Sequence, residues 1–244
     1  MLANFWGFSE FYLHNPILLL VILAHILADF QLQSQKMADL KACRLPFLLL
    51  HLGVVLLPLL VLSLLFPANI FYFLLVWLSH AVIDFLKFRS NAFIQRKNLE
   101  KYAFVLDQLL HLAAIFAFYF LFAQKTAPVW LKEAASVVQA LVLFAAIGKP
   151  VNILFKLFFS KYQSREDNQD TIAGAGAMIG CLERLIMGLS LILGQYASIG
   201  LVFTAKSIAR YNKISESQSF AEYYLIGSLF SVISVLVCYG LLYF

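Results

Sequence analysis

Residues 70–88 read IFYFLLVWLSHAVIDFLKF, an apolar run that contains one histidine, His80, and one aspartate, Asp84. Its length is that of a membrane-spanning helix, which takes about 20 predominantly apolar residues. Since His80 and Asp84 stand four residues apart, a helix places an imidazole and a carboxylate on the same face. The stretch therefore predicts a transmembrane helix that carries a polar pair.

The spacing of four occurs in two further apolar segments. His25 precedes Asp29, and Asp107 precedes His111 with the order reversed. The remaining apolar segment of this part of the chain carries His51. Ionisable groups inside a bilayer cost at least about 2.5 kcal/mol for each Asp, so they normally face one another or a wet cavity. We therefore expect these side chains to form one cluster.

The whole chain is far more apolar than a soluble protein. Of its 244 residues 62% are hydrophobic and 13% are charged, against about 45–50% and 25% in soluble domains. The composition predicts an all-α, polytopic transmembrane helical bundle with seven to eight membrane segments, about 20 residues each. The three cysteines lack CxxC spacing, which predicts neither a disulfide framework nor a zinc–thiolate site. The net charge of +5 is the ordinary basic bias of membrane proteins and requires no nucleic-acid partner.

The organisation expected is a single integral membrane domain over residues 1–244. Its two halves are a four-helix part with His and Asp over 16–123 and a second helical part with a Glu, Arg and Lys site over 129–244. Residues 1–15, with Phe5 and Trp6, are expected to anchor at the interface, and residues 162–170 to form a solvent loop. The apolar segments are expected near residues 16–34, 46–66, 70–88, 102–122, 129–159, 171–193, 197–211 and 220–244.

Orientation follows from the basic residues. Most of the 18 Lys and Arg fall in alternate loops of the eight-segment arrangement. By the positive-inside rule both termini then face away from the cytoplasm. Counting from the helix ends places the histidines and aspartates of the first half in the cytoplasmic half of the membrane, at comparable depth.

Imidazole and carboxylate ligands without a nearby thiolate suit a divalent metal ion, with Zn favoured and Mn or Fe as alternatives. The candidate ligands are His25, Asp29, His51, His80, Asp84, Asp107 and His111. One ion or two would fit, and a two-metal site would use Asp29, Asp84 or Asp107 as bridges or as the catalytic general base. Gln33 and Gln108 extend the same faces as supporting partners. A proton relay uses the same residue types and is the competing interpretation.

The second half offers complementary charge. Glu183 and Arg184 lie inside one apolar segment, Lys206 and Arg210 share a helix face, and Glu222 opens the last segment. These residues are candidates for binding an anionic, phosphate-bearing headgroup. A structural ion pair and snorkelling of long side chains to the interface are the alternatives.

Five motifs in this order resemble an uncharacterised family of bacterial polytopic membrane proteins. They are HILADFQLQ at residues 25–33, SHAVIDF at 79–85, DQLLH at 107–111, LER at 182–184 and TAKSIAR at 204–210. The resemblance implies a bacterial inner-membrane protein and supplies no activity. More loosely, the paired histidines and aspartates are similar in style to membrane metal-dependent hydrolases, including ceramidase-like enzymes.

The leading hypothesis is a membrane-embedded metal-dependent hydrolase. Its substrate would be a lipid or another amphiphile, with or without a phosphate, reached from the cytoplasmic leaflet. A metal-ion or proton transporter that uses the same cluster is the alternative, and a non-enzymatic sensor or assembly protein with a structural metal is the third. The lipid bilayer is the expected partner, and the sequence leaves open whether the protein forms a homo-oligomer.

Overall fold

The computed structural model of the protein describes residues 7–163 and 174–244. Within these two ranges every regular element is a helix and no strand occurs, which confirms the predicted all-α class. Some predictions fall outside the described residues. These are Phe5 and Trp6 of the interfacial anchor, residues 164–170 of the solvent loop and residues 171–173 of the sixth segment.

The α-helices are numbered in chain order. They are α1 Phe8–His14, α2 Pro16–Ile26, α3 Gln35–Leu40, α4 Leu45–Leu65, α5 Ile70–Arg96, α6 Glu100–Phe122, α7 Val129–Glu133, α8 Ala135–Ile147, α9 Lys149–Phe159, α10 Ala175–Ile192, α11 Ala197–Ala209, α12 Tyr211–Glu216 and α13 Gln218–Tyr243. A π-helical turn, Leu27–Gln31, continues α2, and short 3-10 turns precede α5 and follow α9.

Local chemistry explains where several helices begin. Proline occupies the first turn of α2 and of α4, where its missing N–H costs no helical hydrogen bond. The Ser34 hydroxyl accepts a hydrogen bond from Met37 N at 3.3 Å and caps α3. Asn98 has a φ of 52° in the short connection from α5 to α6, a left-handed conformation that asparagine tolerates.

Residues Glu10–Val142 form one compact unit. In this unit α5 contacts both α4 and α6, and α2 contacts the same two helices. Aromatic groups make hydrogen bonds across these contacts: buried Tyr72 Oη donates to Ile115 O at 3.3 Å, and half-buried Trp77 Nε1 donates to Leu52 O at 3.1 Å. The four long segments of this unit therefore surround a common interior.

The described residues among 7–9 and 143–244 form the other compact unit. Within it α10 contacts α9, α11 and α13. Gly188 on α10 permits a close approach, since a Cβ there would meet Ile147 Cδ1 at 2.9 Å. Gly148 separates α8 from α9, and Pro150 lies in the first turn of α9, where a proline removes no helical hydrogen bond.

Within the described residues, six helical stretches are long and apolar enough to cross a membrane. A seventh results if α1 and the segment Pro16–Gln31, which meet at a bend of 96°, count as one span. The upper count of seven spans agrees with the lower end of the predicted range of seven to eight segments. The predicted seventh segment forms α11, whose 13 residues reach only about 20 Å at the helical rise and fall short of the hydrocarbon core.

The outer surface of the spans is apolar. Between 22% and 39% of the residues in each span are buried within the protein, and large apolar side chains such as Leu57, Leu64 and Leu121 remain exposed. A surface of this kind is stable against lipid rather than water. The protein is therefore a multi-pass membrane protein whose spans contact a lipid bilayer.

Candidate metal centre

Seven buried histidines and aspartates converge inside the unit Glu10–Val142. Each of these residues exposes at most 6% of its surface. They lie on α2, the π-helical turn, α4, α5 and α6, and they are His25, Asp29, His51, His80, Asp84, Asp107 and His111. The structure therefore brings together all seven ligand candidates of the first half.

Asp29 lies in the π-helical turn Leu27–Gln31. The wider turn closes with a hydrogen bond from Leu32 N to Leu27 O at 2.8 Å. Such turns change the direction of side chains within a helix and occur frequently at functional sites. Here the turn carries a carboxylate whose Oδ1 lies 3.4 Å from His80 Nε2 on another helix.

Two histidines and two carboxylates meet closely at one side of the cluster. The Nε2 atoms of His51 and His80 are 3.3 Å apart. Asp29 Oδ1 lies 3.5 Å from His51 Nε2 and 3.4 Å from His80 Nε2, and Asp84 Oδ2 lies 3.2 Å and 3.6 Å from the same two atoms. Ligand atoms around a tetrahedral zinc ion, about 2.0–2.1 Å from the metal, are about 3.3–3.4 Å from one another. Each carboxylate therefore forms, with the two imidazoles, a triangle the size of one face of a tetrahedral site.

The other oxygen of Asp84 faces a different group. His111 Nε2 lies 3.7 Å from Asp84 Oδ1 and 3.7 Å from Asp107 Oδ1. The imidazole of His111 stacks on that of His80, with ring centroids 3.9 Å apart. Asp84 is thus shared: Oδ2 faces His51 and His80, and Oδ1 faces His111.

Gln108 joins three members of the cluster. Its Oε1 lies 3.3 Å from His25 Nε2, and its Nε2 donates to Asp29 Oδ2 at 3.0 Å and to Asp107 Oδ2 at 3.3 Å. These contacts fix the carboxylates while leaving an Oδ1 atom of each available. The other predicted supporting residue, Gln33, has a buried Oε1 atom without a hydrogen-bond partner among the described residues.

Several buried polar atoms of the cluster lack a hydrogen-bond partner within the described ranges. They are His25 Nδ1, Asp29 Oδ1, His51 Nδ1, Asp84 Oδ1, Asp84 Oδ2, Asp107 Oδ1 and His111 Nε2. A buried polar atom left unsatisfied costs about 1–3 kcal/mol. Most of these atoms carry lone pairs that face one another, an arrangement that a bound cation stabilises.

Ligand atoms from three sets of residues lie within 4.8 Å of one another and could each hold a metal ion. The sets are His25 with Asp29 and His80, His51 with His80 and Asp84, and Asp84 with Asp107 and His111. All members are buried. Since His80 belongs to two sets and Asp84 to two, the three sets form one continuous centre.

Two lysines, counted in the sequence only among the basic residues that set the membrane orientation, contact residues of the metal centre. Lys41 Nζ lies 3.0 Å from His51 Nε2 and 3.7 Å from Asp84 Oδ2, and Lys87 Nζ lies 2.8 Å from Asp107 Oδ2. Lys87 follows Asp84 by three residues on α5, so its position on the same helix face was a signal available in the sequence. No comparable signal marks Lys41, which follows the short helix α3.

The two sides of the centre differ in polarity. A cavity of about 70 Å³ adjoins Asp84 between Lys41 and Lys87. Near His25 and His80 there is only a space of about 10 Å³, and apolar side chains such as Val21, Val55 and Leu59 line it. Polar groups therefore line the side of the centre next to Asp84, and apolar side chains line the side next to His25 and His80.

The predicted polar residues of the second half belong to the other compact unit. Lys206 Nζ donates to Glu183 Oε2 at 2.8 Å and to Ser228 Oγ at 3.3 Å. The Glu222 side chain is exposed and accepts a hydrogen bond from Gln218 Nε2 at 2.9 Å. Arg210 is half-buried at the C-terminal end of α11.

Arg184 makes hydrogen bonds to the chain at the break between α8 and α9. Its guanidinium donates to Ile147 O, to Gly148 O at 3.2 Å and to Asn152 Oδ1 at 2.6 Å. Carbonyl groups at the C-terminal end of a helix lack intrahelical partners, and a buried arginine satisfies them here. The neighbouring residues Glu183 and Arg184 thus have different partners. Glu183 pairs with Lys206, and Arg184 binds the backbone at the break between α8 and α9.

Fold and cluster together define a polytopic α-helical membrane protein with buried histidine and aspartate groups that could hold metal. The chain belongs to the family described as Protein of unknown function (DUF3307), whose model matches residues 17–139, half of the chain. The matched segment contains all seven histidines and aspartates of the cluster. No curated protein and no solved structure matches the chain.

Proposed function

We propose that the protein is a membrane-embedded, metal-dependent hydrolase that acts on a lipid or another amphiphilic substrate. The observation that carries the proposal is the shared position of Asp84. Its two oxygens face separate groups of ligand atoms, at 3.2 Å from His51 Nε2 and at 3.7 Å from His111 Nε2. A carboxylate between two groups of nitrogen and oxygen ligands is typical of two-metal hydrolytic sites.

The number of ligands also supports two ions. A structural zinc site uses four protein ligands and leaves none free. This centre supplies four imidazoles and three carboxylates, which exceeds the need of one tetrahedral ion. One ion would lie among His51, His80, Asp29 and Asp84, and the other among Asp84, Asp107 and His111, with zinc, manganese or iron as the metal.

The chain's own groups would divide the remaining work. Bound divalent ions lower the pKa of water and stabilise the negative charge that develops in hydrolysis. Gln108 holds Asp29 and Asp107 by one oxygen each, and whichever of these two carboxylates does not ligate a metal would serve as the general base for the attacking water. The apolar closure near Val55 and Leu59 excludes further water from that side.

Substrate would enter from the side of the 70 Å³ cavity. The basic residues on this side support its position at the cytoplasmic leaflet, and a bacterial inner membrane is what the resemblance of the motifs implies. The predicted location of both termini on the opposite side belongs to an eight-span arrangement, since seven spans would place the termini on opposite sides of the membrane. Binding of the substrate headgroup by Glu183, Arg184, Lys206, Arg210 and Glu222 stays a prediction.

A transporter would require a polar path through the membrane. A space beside His25 and His80 measures about 10 Å³ and is lined mainly by apolar side chains, which favours a reaction centre over a site of passage. A structural metal site would need fewer ligands. Both alternatives are nevertheless outcomes of the same experiment.

The test uses detergent-purified full-length protein reconstituted into nanodiscs and loaded with zinc, manganese or iron. Elemental mass spectrometry is expected to find bound metal in the wild type and none in the His80→Ala, Asp84→Ala double variant. A panel of phospholipids and sphingolipids is expected to yield a hydrolysis product only with metal-loaded wild type. Asp39→Asn is the control, since Asp39 is exposed and paired only with Gln35, at 2.7 Å.

Three results would contradict the proposal. Wild type that binds neither zinc, manganese nor iron would favour a proton relay. Protein that binds metal, cleaves no substrate and moves the ion into proteoliposomes would be a transporter. Bound metal without turnover or flux, and unchanged cell physiology in the double variant, would assign the metal a structural role.

A further inference from the structure

We propose that Lys41 and Lys87 form a subsite for the phosphate group of an anionic substrate, in the cavity beside Asp84. The inference deepens the proposed function and rests on the metal centre. It assigns the phosphate to residues of the same compact unit as the cluster.

The cavity has the size and lining that such a group requires. It measures about 70 Å³, and its walls include Ala38, Ala42 and Phe88 in addition to Asp84 and the two lysines. A single water needs only about 10–15 Å³, so the space accepts a larger polar group. The alanine side chains leave space in the cavity, and the cations among its described lining residues are the two ammonium groups.

The side chains of both lysines are mostly buried but remain partly exposed. Their side chains are 13% and 25% exposed for Lys41 and Lys87 respectively. Lys41 Nζ lies closer to the imidazole nitrogen of His51, at 3.0 Å, than to the carboxylate of Asp84, at 3.7 Å. An ammonium group that served only to neutralise Asp84 would sit at hydrogen-bond distance from its oxygens. Lys41 instead lies where it can serve both the cluster and the cavity.

The charge of the centre points to an anion. With neutral imidazoles, the carboxylates of Asp29, Asp84 and Asp107 exceed the ammonium groups of Lys41 and Lys87 by one negative charge. One bound divalent ion already makes the centre positive, and a second makes it strongly positive. Uncompensated charge is costly within a membrane. A phosphate group in the cavity would contact both lysines and balance this charge.

The experiment separates binding of phosphate from binding of metal. Lys41→Met and Lys87→Met keep the length of the apolar stem and remove the charge. Full-length protein in phosphatidylcholine nanodiscs is loaded with zinc, and affinities for zinc and for inorganic phosphate are measured by titration calorimetry. Lys36→Met is the matched control, since Lys36 belongs to the same short helix region but is exposed and lies over Phe47, at 5.9 Å from its ring.

The variants are expected to lose affinity for phosphate without losing affinity for zinc. Each cavity variant should bind phosphate about tenfold more weakly or worse, because a charge-assisted hydrogen bond is lost. Each should bind zinc as tightly as wild type or more tightly, because a positive charge next to the ligands is removed. Lys41→Arg and Lys87→Arg should retain phosphate binding, and the Lys36 control should change neither affinity.

A second arm identifies the source of the phosphate group. Phosphatidic acid is added to the nanodiscs, and the titration with inorganic phosphate is repeated. If the lipid weakens binding of inorganic phosphate in wild type and not in Lys41→Met, the subsite takes a lipid headgroup. If phosphate binds equally well in both membranes, the subsite takes a soluble phosphate compound. Either result supports the shared chemistry.

Three results would overturn the subsite. The cavity variants would bind phosphate like wild type, or they would lose zinc, which would make the lysines supports of the ligand cluster. Alternatively, zinc-loaded wild type would bind no phosphate, which would leave the metal centre intact and refute only the subsite. Wild type that binds no metal fails the earlier test, so the two failures are distinguishable.

Discussion

Replacing Asp84 by asparagine is expected to remove both metal ions, whereas Asp107→Asn is expected to remove only one of about two. The reason is the position of the two carboxylates. Asp84 faces His51 at 3.2 Å with one oxygen and His111 at 3.7 Å with the other, while the ligand contact of Asp107 is with His111 alone, at 3.7 Å. Asparagine preserves the volume of the side chain and removes its charge.

The size of the effect follows from the number of groups that each carboxylate serves. A residue that only orients a metal ligand is worth about 10–100-fold in affinity. A direct ligand should therefore cost at least about 100-fold for each ion that it contacts, or about 2.7 kcal/mol. Asp84→Asn is therefore expected to lose this affinity for both ions, and Asp107→Asn for one.

Metal content per chain is the measurement, by elemental mass spectrometry at fixed free metal, with helix content and detergent-size profiles as checks on folding. Asp39→Asn supplies the same chemical change at an exposed carboxylate. With manganese, the spectrum of spin-coupled ions should be present in wild type and absent from both cluster variants. Equal metal loss in Asp84→Asn and Asp107→Asn would refute the bridging role of Asp84.

Further predictions concern residues around the centre and in the other unit. Gln108→Leu should weaken metal affinity about 10–100-fold at unchanged stoichiometry, because Gln108 orients Asp29 and Asp107 without replacing them; titration with a competing chelator measures this. Metal affinity of wild type should fall as the pH falls, since histidine binds metal only when neutral, and the same titration at several pH values checks it. Arg184→Met should destabilise the protein by about 3 kcal/mol or more, because buried acceptors lose their donor; denaturant unfolding beside the exposed Lys156→Met measures the difference. Lys206→Met, which leaves Glu183 without its 2.8 Å partner, should leave metal content unchanged and weaken turnover if the headgroup prediction is right.

Helical periodicity explains how much of the cluster was predictable. The spacing of four residues places His80 beside Asp84 and Asp107 beside His111 on any helix. The need to shield ionisable groups from lipid then predicts that such faces meet. The sequence could therefore indicate the meeting of α2, α4, α5 and α6 without any tertiary information.

Other features depend on three-dimensional detail that periodicity does not encode. The π-helical turn that carries Asp29 requires only one additional residue per turn, and the sequence LADFQ gives no sign of it. Lys41 reaches His51 across the turn between α3 and α4, a contact set by the path of a short connection. The role of Arg184 at the break after Ile147 likewise depends on which helix end lies nearby.

The distribution of the carboxylates among the helices bears on how the protein is made. Asp29, Asp84 and Asp107 come from three different segments, and α4 contributes only a histidine. A single aspartate costs about 2.5–3.5 kcal/mol at the centre of an inserting helix, and the spans of Asp84 and Asp107 stay apolar around it, with mean hydropathies of 1.6 and 1.8. The spans of Asp84 and Asp107 thus bring one aspartate each into the membrane. Each of these carboxylates gains its buried partners only when the segments assemble side by side.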